Sequence, residues 1–176
     1  MDDNDWRYNR SDVLIETEAA FSEKRHTFFM LSTADCLPVV FTDKDSGFYG
    51  IAHFGWRNLM EDFPENLIVA IGRQFGVLPG HIIVGIGPAI GPCCYRFENP
   101  VQRSDPIWKP FLEKRSDGRV AIDLVKAFKN RMAACGIWTE NLFDIELCTG
   151  CNNALFFSCY RDGYLSGRFP SIVGFI

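Results

Sequence analysis

Apolar and polar positions first fall into a regular pattern at residues 27–42 (TFFMLSTADCLPVVFT). The pattern predicts two β segments broken at Ala34-Asp35-Cys36, with Pro38 marking an edge or the exit from the break. Residues 43–47 (DKDSG) read as a turn and residues 48–53 as a further strand, so the segment closes into a hairpin. A helix is expected over roughly residues 61–75: Pro64 suits its first turn, and Leu67, Ile68 and Ile71 share a face. Gly76 and Gly80 bracket its end. Residues 81–86 form an apolar run of strand length, leading into Gly87-Pro88-Ala89-Ile90-Gly91-Pro92, where two Gly-Pro pairs forbid regular structure.

Further on, residues 111–114 read as the end of a short helix. Residues 123–135 make a better one, with Leu124, Ala127, Phe128, Arg131 and Met132 on the 3.6 period and Gly136 as its cap. Strands are expected at 141–147, 154–160 and 171–175, with a loop at 148–153. The first 25 residues are polar apart from short pieces such as Val13-Leu14-Ile15. Imperfect alternation with hairpins at both ends predicts an α/β (α+β) fold, a layered mixed β-sheet covered by helices. Residues 1–176 are expected to form one domain.

Composition narrows the function. At 47% hydrophobic and 23% charged the chain can bury an ordinary core. A net charge of −4 with scattered Lys and Arg excludes a phosphate-backbone reader, so no nucleic-acid partner is expected. Apolar runs stop short of membrane-spanning length, and no membrane partner is expected. The acidic start, Met1-Asp2-Asp3-Asn4-Asp5, has no apolar signal core, and seven cysteines are an odd count; both fit a cytoplasmic protein with free thiols.

Cys36 and His53 stand 17 residues apart at strand-to-loop junctions of one hairpin, where neighbouring strand ends bring side chains within reach. Cys with His either binds a metal or forms a nucleophile–base dyad; a small buried cysteine and a structural histidine are the bland alternative. Asp35 and Arg57 flank them and would orient the pair, bind an anionic substrate, or form a structural ion pair. Cys148-Thr149-Gly150-Cys151 has the C-x-x-C form. Its only other thiol pair, Cys93-Cys94, is adjacent rather than spaced, which makes a shared zinc awkward. His26 and His81 read as surface residues.

Thr33-Ala34-Asp35-Cys36-Leu37-Pro38-Val39, His53-Phe54-Gly55-Trp56-Arg57 and Gly87-Pro88-Ala89-Ile90-Gly91-Pro92-Cys93-Cys94-Tyr95 occur in that order. Cys148-Thr149, Phe156-Phe157-Ser158, Arg161-Asp162-Gly163 and Gly167-Arg168 follow. Together they resemble the YfiH/YlmD laccase-domain family, also called the multicopper polyphenol oxidase or purine nucleoside phosphorylase family. The resemblance implies a metalloenzyme, zinc-dependent with copper possible, that phosphorolyses adenosine, inosine and methylthioadenosine and deaminates adenosine. By position Cys36 and His53 match metal ligands; with Arg57 and Arg161 they form the implied catalytic set, and Asp35, Arg57 and Arg161 the substrate contacts. The implied partners are a purine nucleoside and phosphate.

The chain departs from the family in places. The family's first ligand histidine lies in an N-terminal Gln-x-His-Gly motif, and the 35 residues before Cys36 contain none. Phe54 and Asn58 stand where the family has a small residue and a glycine. An N-terminally short member is therefore expected, its site completed by water or by a partner chain in a homo-oligomer. The alternatives are a Cys36/His53 cysteine hydrolase or amidase, and an inactive truncated scaffold.

Overall fold

A computed structural model of the protein describes residues 17–176. In chain order it contains β1 (Ala19–Ser22), β2 (Thr27–Thr33), β3 (Leu37–Thr42), β4 (Tyr49–Phe54), α1 (Phe63–Phe75), β5 (Ile83–Ile86), β6 (Arg96–Phe97), β7 (Leu112–Lys114), β8 (Val120–Ile122), α2 (Leu124–Ala134), β9 (Leu142–Asp144), α3 (Cys159–Asp162) and β10 (Phe169–Phe175). Five strands form the main sheet in the order β1-β4-β3-β5-β9, antiparallel except for the parallel β5–β9 pair. β2 and β10 make a separate antiparallel ribbon, and β6, β8 and β7 a small third sheet.

The period of two sorts β3 and β4 between two layers. Leu37, Val39 and Phe41 of β3, with Ala52 and Phe54 of β4, join the main core with Leu67, Ile68 and Ile71 of α1 and Ala127, Phe128 and Met132 of α2. Phe54 packs its ring on Phe41, Phe63 and Phe128, so truncating it to alanine would cost about 3–5 kcal/mol. On the opposite face Tyr49 and Ile51 meet Phe29 of β2, with Leu31, Val40 and Val173 around them. The order is thus helices, sheet, ribbon.

The hairpin, its break at Ala34-Asp35-Cys36 and both long helices stand where the pattern puts them. Pro64 lies in the first turn of α1, and Gly76 closes that helix in the left-handed conformation, φ 72°. Asp123 caps α2, its side chain accepting from the Lys126 amide at 2.8 Å.

Other expectations change. Residues 154–160 are not a strand: apolar content without alternation misleads there, and the segment turns into α3, capped by the buried Ser158. Residues 112–114 form strand β7 after a 3-10 turn, Pro106–Phe111, rather than a helix end. The expected strands at 81–86 and 141–147 shorten to β5 and β9, and His81 lies in the 3-10 turn Pro79–His81. β1 was not anticipated; pairing along β4 turns a weakly apolar tetrapeptide into a strand. Val13-Leu14-Ile15 lies outside the described residues.

Candidate functional site

Strand register brings Cys36 and His53 together. Pro38 pairs with His53 and Leu37 with Phe54, so continuing the ladder sets Cys36 opposite Gly55. Cys36 shares the parity of Pro38 and Val40, and His53 that of Tyr49 and Ile51; both face the ribbon side. Gly55 leaves the room: a Cβ placed there would lie 3.2 Å from Cys36 Sγ and 3.8 Å from His53 Cε1. Both side chains therefore converge on one point. Asn58 fixes the turn beneath it, accepting from the Gly55 amide and donating to the His53 carbonyl, each at 2.9 Å.

Glu18 completes this arrangement. Its carboxylate bonds His53 Nδ1, and its carbonyl accepts from the His53 amide at 2.8 Å. A carboxylate at Nδ1 places the proton there and turns Nε2 outward as a free lone pair, as in carboxylate–histidine–metal arrangements. Burial pushes the Cys36 thiol up to about 11, with Asp35, Cys159 and Glu18 adding to the shift and Arg168 opposing it. Nucleophile and metal ligand alike need the thiolate, so either use of Cys36 requires a cation or metal to offset this burial.

Asp35 sits in an unusual backbone conformation, φ 91°, immediately before the cysteine. Such strain costs about 1–3 kcal/mol and persists only where neighbours enforce it. Here Thr149 Oγ1 donates to one carboxylate oxygen (2.6 Å), the Tyr160 amide to the other (2.7 Å), and the Ile90 amide to the Asp35 carbonyl (2.9 Å). The side chain is buried, both its carboxylate oxygens accept hydrogen bonds, and its backbone leads directly into Cys36.

Neither arginine sits where the sequence suggests in full. Arg57 forms no ion pair with Asp35; it is exposed, with its guanidinium 4.7 Å from the Trp56 ring centroid. Arg161 is turned onto its own chain. It holds Asp162 through Nε (2.7 Å) and Nη2 (2.5 Å), and the carbonyls of Thr149 (2.9 Å), Gly150 (3.4 Å) and Phe156 (3.0 Å). Those bonds take up the guanidinium's N–H donors, which makes Arg161 a clamp on the 149–156 loop.

Arg168 is the cation whose field reaches Cys36. It directly precedes Phe169, the partner of Thr33 in the ribbon, so β2–β10 pairing carries it to the break before β3. Only the Gly167-Arg168 dipeptide signalled it in the sequence. Glu18 had no signal at all.

A second group lies nearby. Cys93, Cys94, Cys148 and Cys151 bring all their sulfurs within 4.8 Å of one another. The adjacency of Cys93 and Cys94 proves no obstacle, because they sit in a chain reversal, with the Cys94 amide donating to the Gly91 carbonyl at 3.0 Å. In a strand adjacent side chains would diverge; in a turn they do not. Burial raises Cys148, but amide donors from Gly91 and Cys151 and its thiol neighbours outweigh that and draw it down to about 7. This donor set could hold a metal ion, and among the described residues it is the one gathering of three or more such ligands. The Gly87–Pro92 loop beside it also walls a cleft of about 380 Å³ with α2 residues Val125, Lys126 and Lys129. Among the described residues no helix is long and apolar enough to cross a membrane.

Residues 2–176 match the family described as multi-copper polyphenol oxidoreductase laccase. The chain is 31% identical over 166 residues to the purine nucleoside phosphorylase YlmD of Geobacillus stearothermophilus, spanning 89% of this chain and 59% of that protein. It is 27% identical over 143 residues to the adenosine deaminase RL5 of an unknown prokaryotic organism, 78% of this chain and 54% of that one. The crystal structure of YlmD from Geobacillus stearothermophilus superposes with a TM-score of 0.82 at 32% identity, covering 90% of this chain and 61% of that one. The chain thus spans less than two thirds of the length of these relatives. With the family matched over nearly every residue and the YlmD fold reproduced, the chain belongs to the laccase-like multi-copper polyphenol oxidoreductase family, together with YlmD and YfiH.

Proposed function

We propose that the protein is a metal-dependent purine nucleoside enzyme that phosphorolyses adenosine, inosine and methylthioadenosine and deaminates adenosine, with its reacting centre at Cys36 and His53. The convergence of these two donors over Gly55, with Glu18 holding the histidine tautomer, carries this reading. The names of the relatives support the substrate class.

Thiol and imidazole suit zinc, with copper the alternative. Two donors are fewer than the roughly three protein ligands of a catalytic zinc. Water, substrate or a second copy of the chain would supply the rest. A zinc ion bound there supplies Lewis acidity toward a substrate oxygen or bound water.

In phosphorolysis a phosphate oxygen bonds to the anomeric carbon as the bond to the purine nitrogen breaks. The bonding pair leaves with the base, which takes a proton. Arg57, with no ion pair among the described residues, and Arg168, whose charge reaches Cys36, would hold phosphate oxygens. Tyr95 lies close enough for Cys36 and Asp35 to raise its phenol, after burial, to about 12. It stays a neutral hydrogen-bond donor beside the site. A reducing cytoplasm suits the unpaired cysteines.

The test is hypoxanthine release from inosine and phosphate by folded, zinc-loaded protein. Cys36→Ser should lower the rate by about 100-fold or more, in line with losing a reacting-centre contact. No product from the zinc-loaded wild type would remove the proposal.

A further inference from the structure

The four cysteines of the second group lie on two loops far apart in sequence. One follows β5 and carries Cys93 and Cys94; the other follows β9 and carries Cys148 and Cys151. Backbone bonds lace the loops into a continuation of the β5–β9 pair: the Ala89 amide donates to the Leu147 carbonyl (3.2 Å) and the Thr149 amide to the Ala89 carbonyl (3.1 Å). Cys151 Sγ then lies 3.4 Å from both Cys93 Sγ and Cys94 Sγ.

Zinc held by four thiolates at about 2.3 Å each sets its sulfurs roughly 3.8 Å apart. The cluster, with contacts at 3.4 Å and none beyond 4.8 Å, brackets that spacing. The surroundings are shaped to the sulfurs. The Gly91 amide donates to Cys148 Sγ at 3.2 Å, the kind of donor that stabilises a ligating thiolate. Glycine leaves room for the sulfurs at two places. A Cβ on Gly150 would come within 2.8 Å of Cys94 Sγ and 2.7 Å of its Cβ; one on Gly91 would come within 3.2 Å of Cys93 Sγ.

We propose that Cys93, Cys94, Cys148 and Cys151 form a closed, structural tetrathiolate zinc site, separate from the Cys36–His53 centre. Four protein ligands leave no open position, so this site holds the fold rather than reacting. It staples the β5 loop to the loop carrying Thr149, and Thr149 holds Asp35 next to Cys36. Zinc here sets the backbone under the reacting centre without touching substrate. The site does not depend on Cys36 or His53, so it stands or falls independently of the proposed activity.

The test uses the full chain with Cys36→Ser and His53→Ala, which removes the other donors. Metal analysis should find one zinc per chain, and cobalt substitution should give the intense sulfur-to-metal charge-transfer bands of a tetrahedral thiolate site. Adding Cys148→Ser and Cys151→Ser should abolish both signals. Should those variants unfold, the wild type answers the same question by alkylation and peptide mapping. Cys93 and Cys151 are exposed and would alkylate at once as free thiols. With zinc they should resist at least tenfold longer, and a chelator should release them. Equal alkylation with and without zinc, or a Cys93 or Cys94 disulfide to Cys148 or Cys151 formed in place of zinc binding under reducing conditions, would overturn the proposal.

Discussion

Two sulfur-bearing regions lie side by side and are built by different means. The Cys36–His53 centre comes from adjacent strands of one hairpin, mixes sulfur with nitrogen, and orients its histidine through Glu18. The four-cysteine group comes from two loops joined by the parallel β5–β9 contact and offers sulfur alone. Asp35 joins the regions, its carboxylate receiving Thr149 from one side while its backbone leads into Cys36 on the other. Donors on paired strands make an approachable, incomplete set, which fits the proposed reacting centre. Donors on two laced loops make a set of four, which fits the proposed structural site.

That difference is open to direct attack. Among changes that join the two regions, the largest effect on stability should come from Asp35→Ala, which leaves the Thr149 hydroxyl and the Tyr160 amide without their buried acceptor. Urea unfolding should register a loss of about 2–4 kcal/mol, and activity should fall even at temperatures where the variant is folded. A loss under about 0.5 kcal/mol, the range of ordinary surface changes, would mean the two regions are not coupled through this residue.

Glu18→Gln sharpens the contrast by touching one region alone. Loss of the carboxylate at Nδ1 should weaken metal binding at the Cys36–His53 centre by about 10-fold, the lower range for such supporting groups. Zinc on the four cysteines should not change. Competition with a chromogenic chelator resolves the two populations, and equal weakening of both would contradict the separation.

The smallest effect lies at the far end of the same hairpin. Slight burial raises the Asp43 carboxyl, but donors from Ser46 and the Asp45 amide win and hold it below the usual carboxylate range. A lowered folded pKa contributes stability above the unfolded value of about 4 and loses it as pH falls through the folded one. Asp43→Asn should therefore shallow the acid limb of the stability curve slightly and leave both sulfur regions alone. A change in metal content in this variant would show that turn geometry reaches further than the hairpin register implies.

Legibility in the sequence follows from how local each contact is. The break at Ala34-Asp35-Cys36 and the strand ending at His53 are set by short-range alternation, so the proximity of Cys36 and His53 could be read from spacing. The four-cysteine group could not, because it requires β9 to lie parallel to β5 and the Gly91–Cys94 turn to fold both thiols one way. The bonds of Arg161 were equally illegible, because its pattern carries charge but not direction; only the fold turns its donors onto the loop's carbonyls. Glu18 and strand β1 escaped for a related reason. A polar, weakly apolar stretch becomes an edge strand only when β4 is there to pair with it.

The most direct measurement compares hypoxanthine release from inosine and phosphate by two single variants, His53→Gln and Cys93→Ser, at a temperature where both are folded. A reacting centre beside a structural one predicts that His53→Gln loses about 100-fold or more, as for removal of a group acting on the reacting atoms. Cys93→Ser should stay within about tenfold of wild type while its melting temperature falls. Equal losses, or the larger loss in Cys93→Ser, would contradict the division of labour between the two regions.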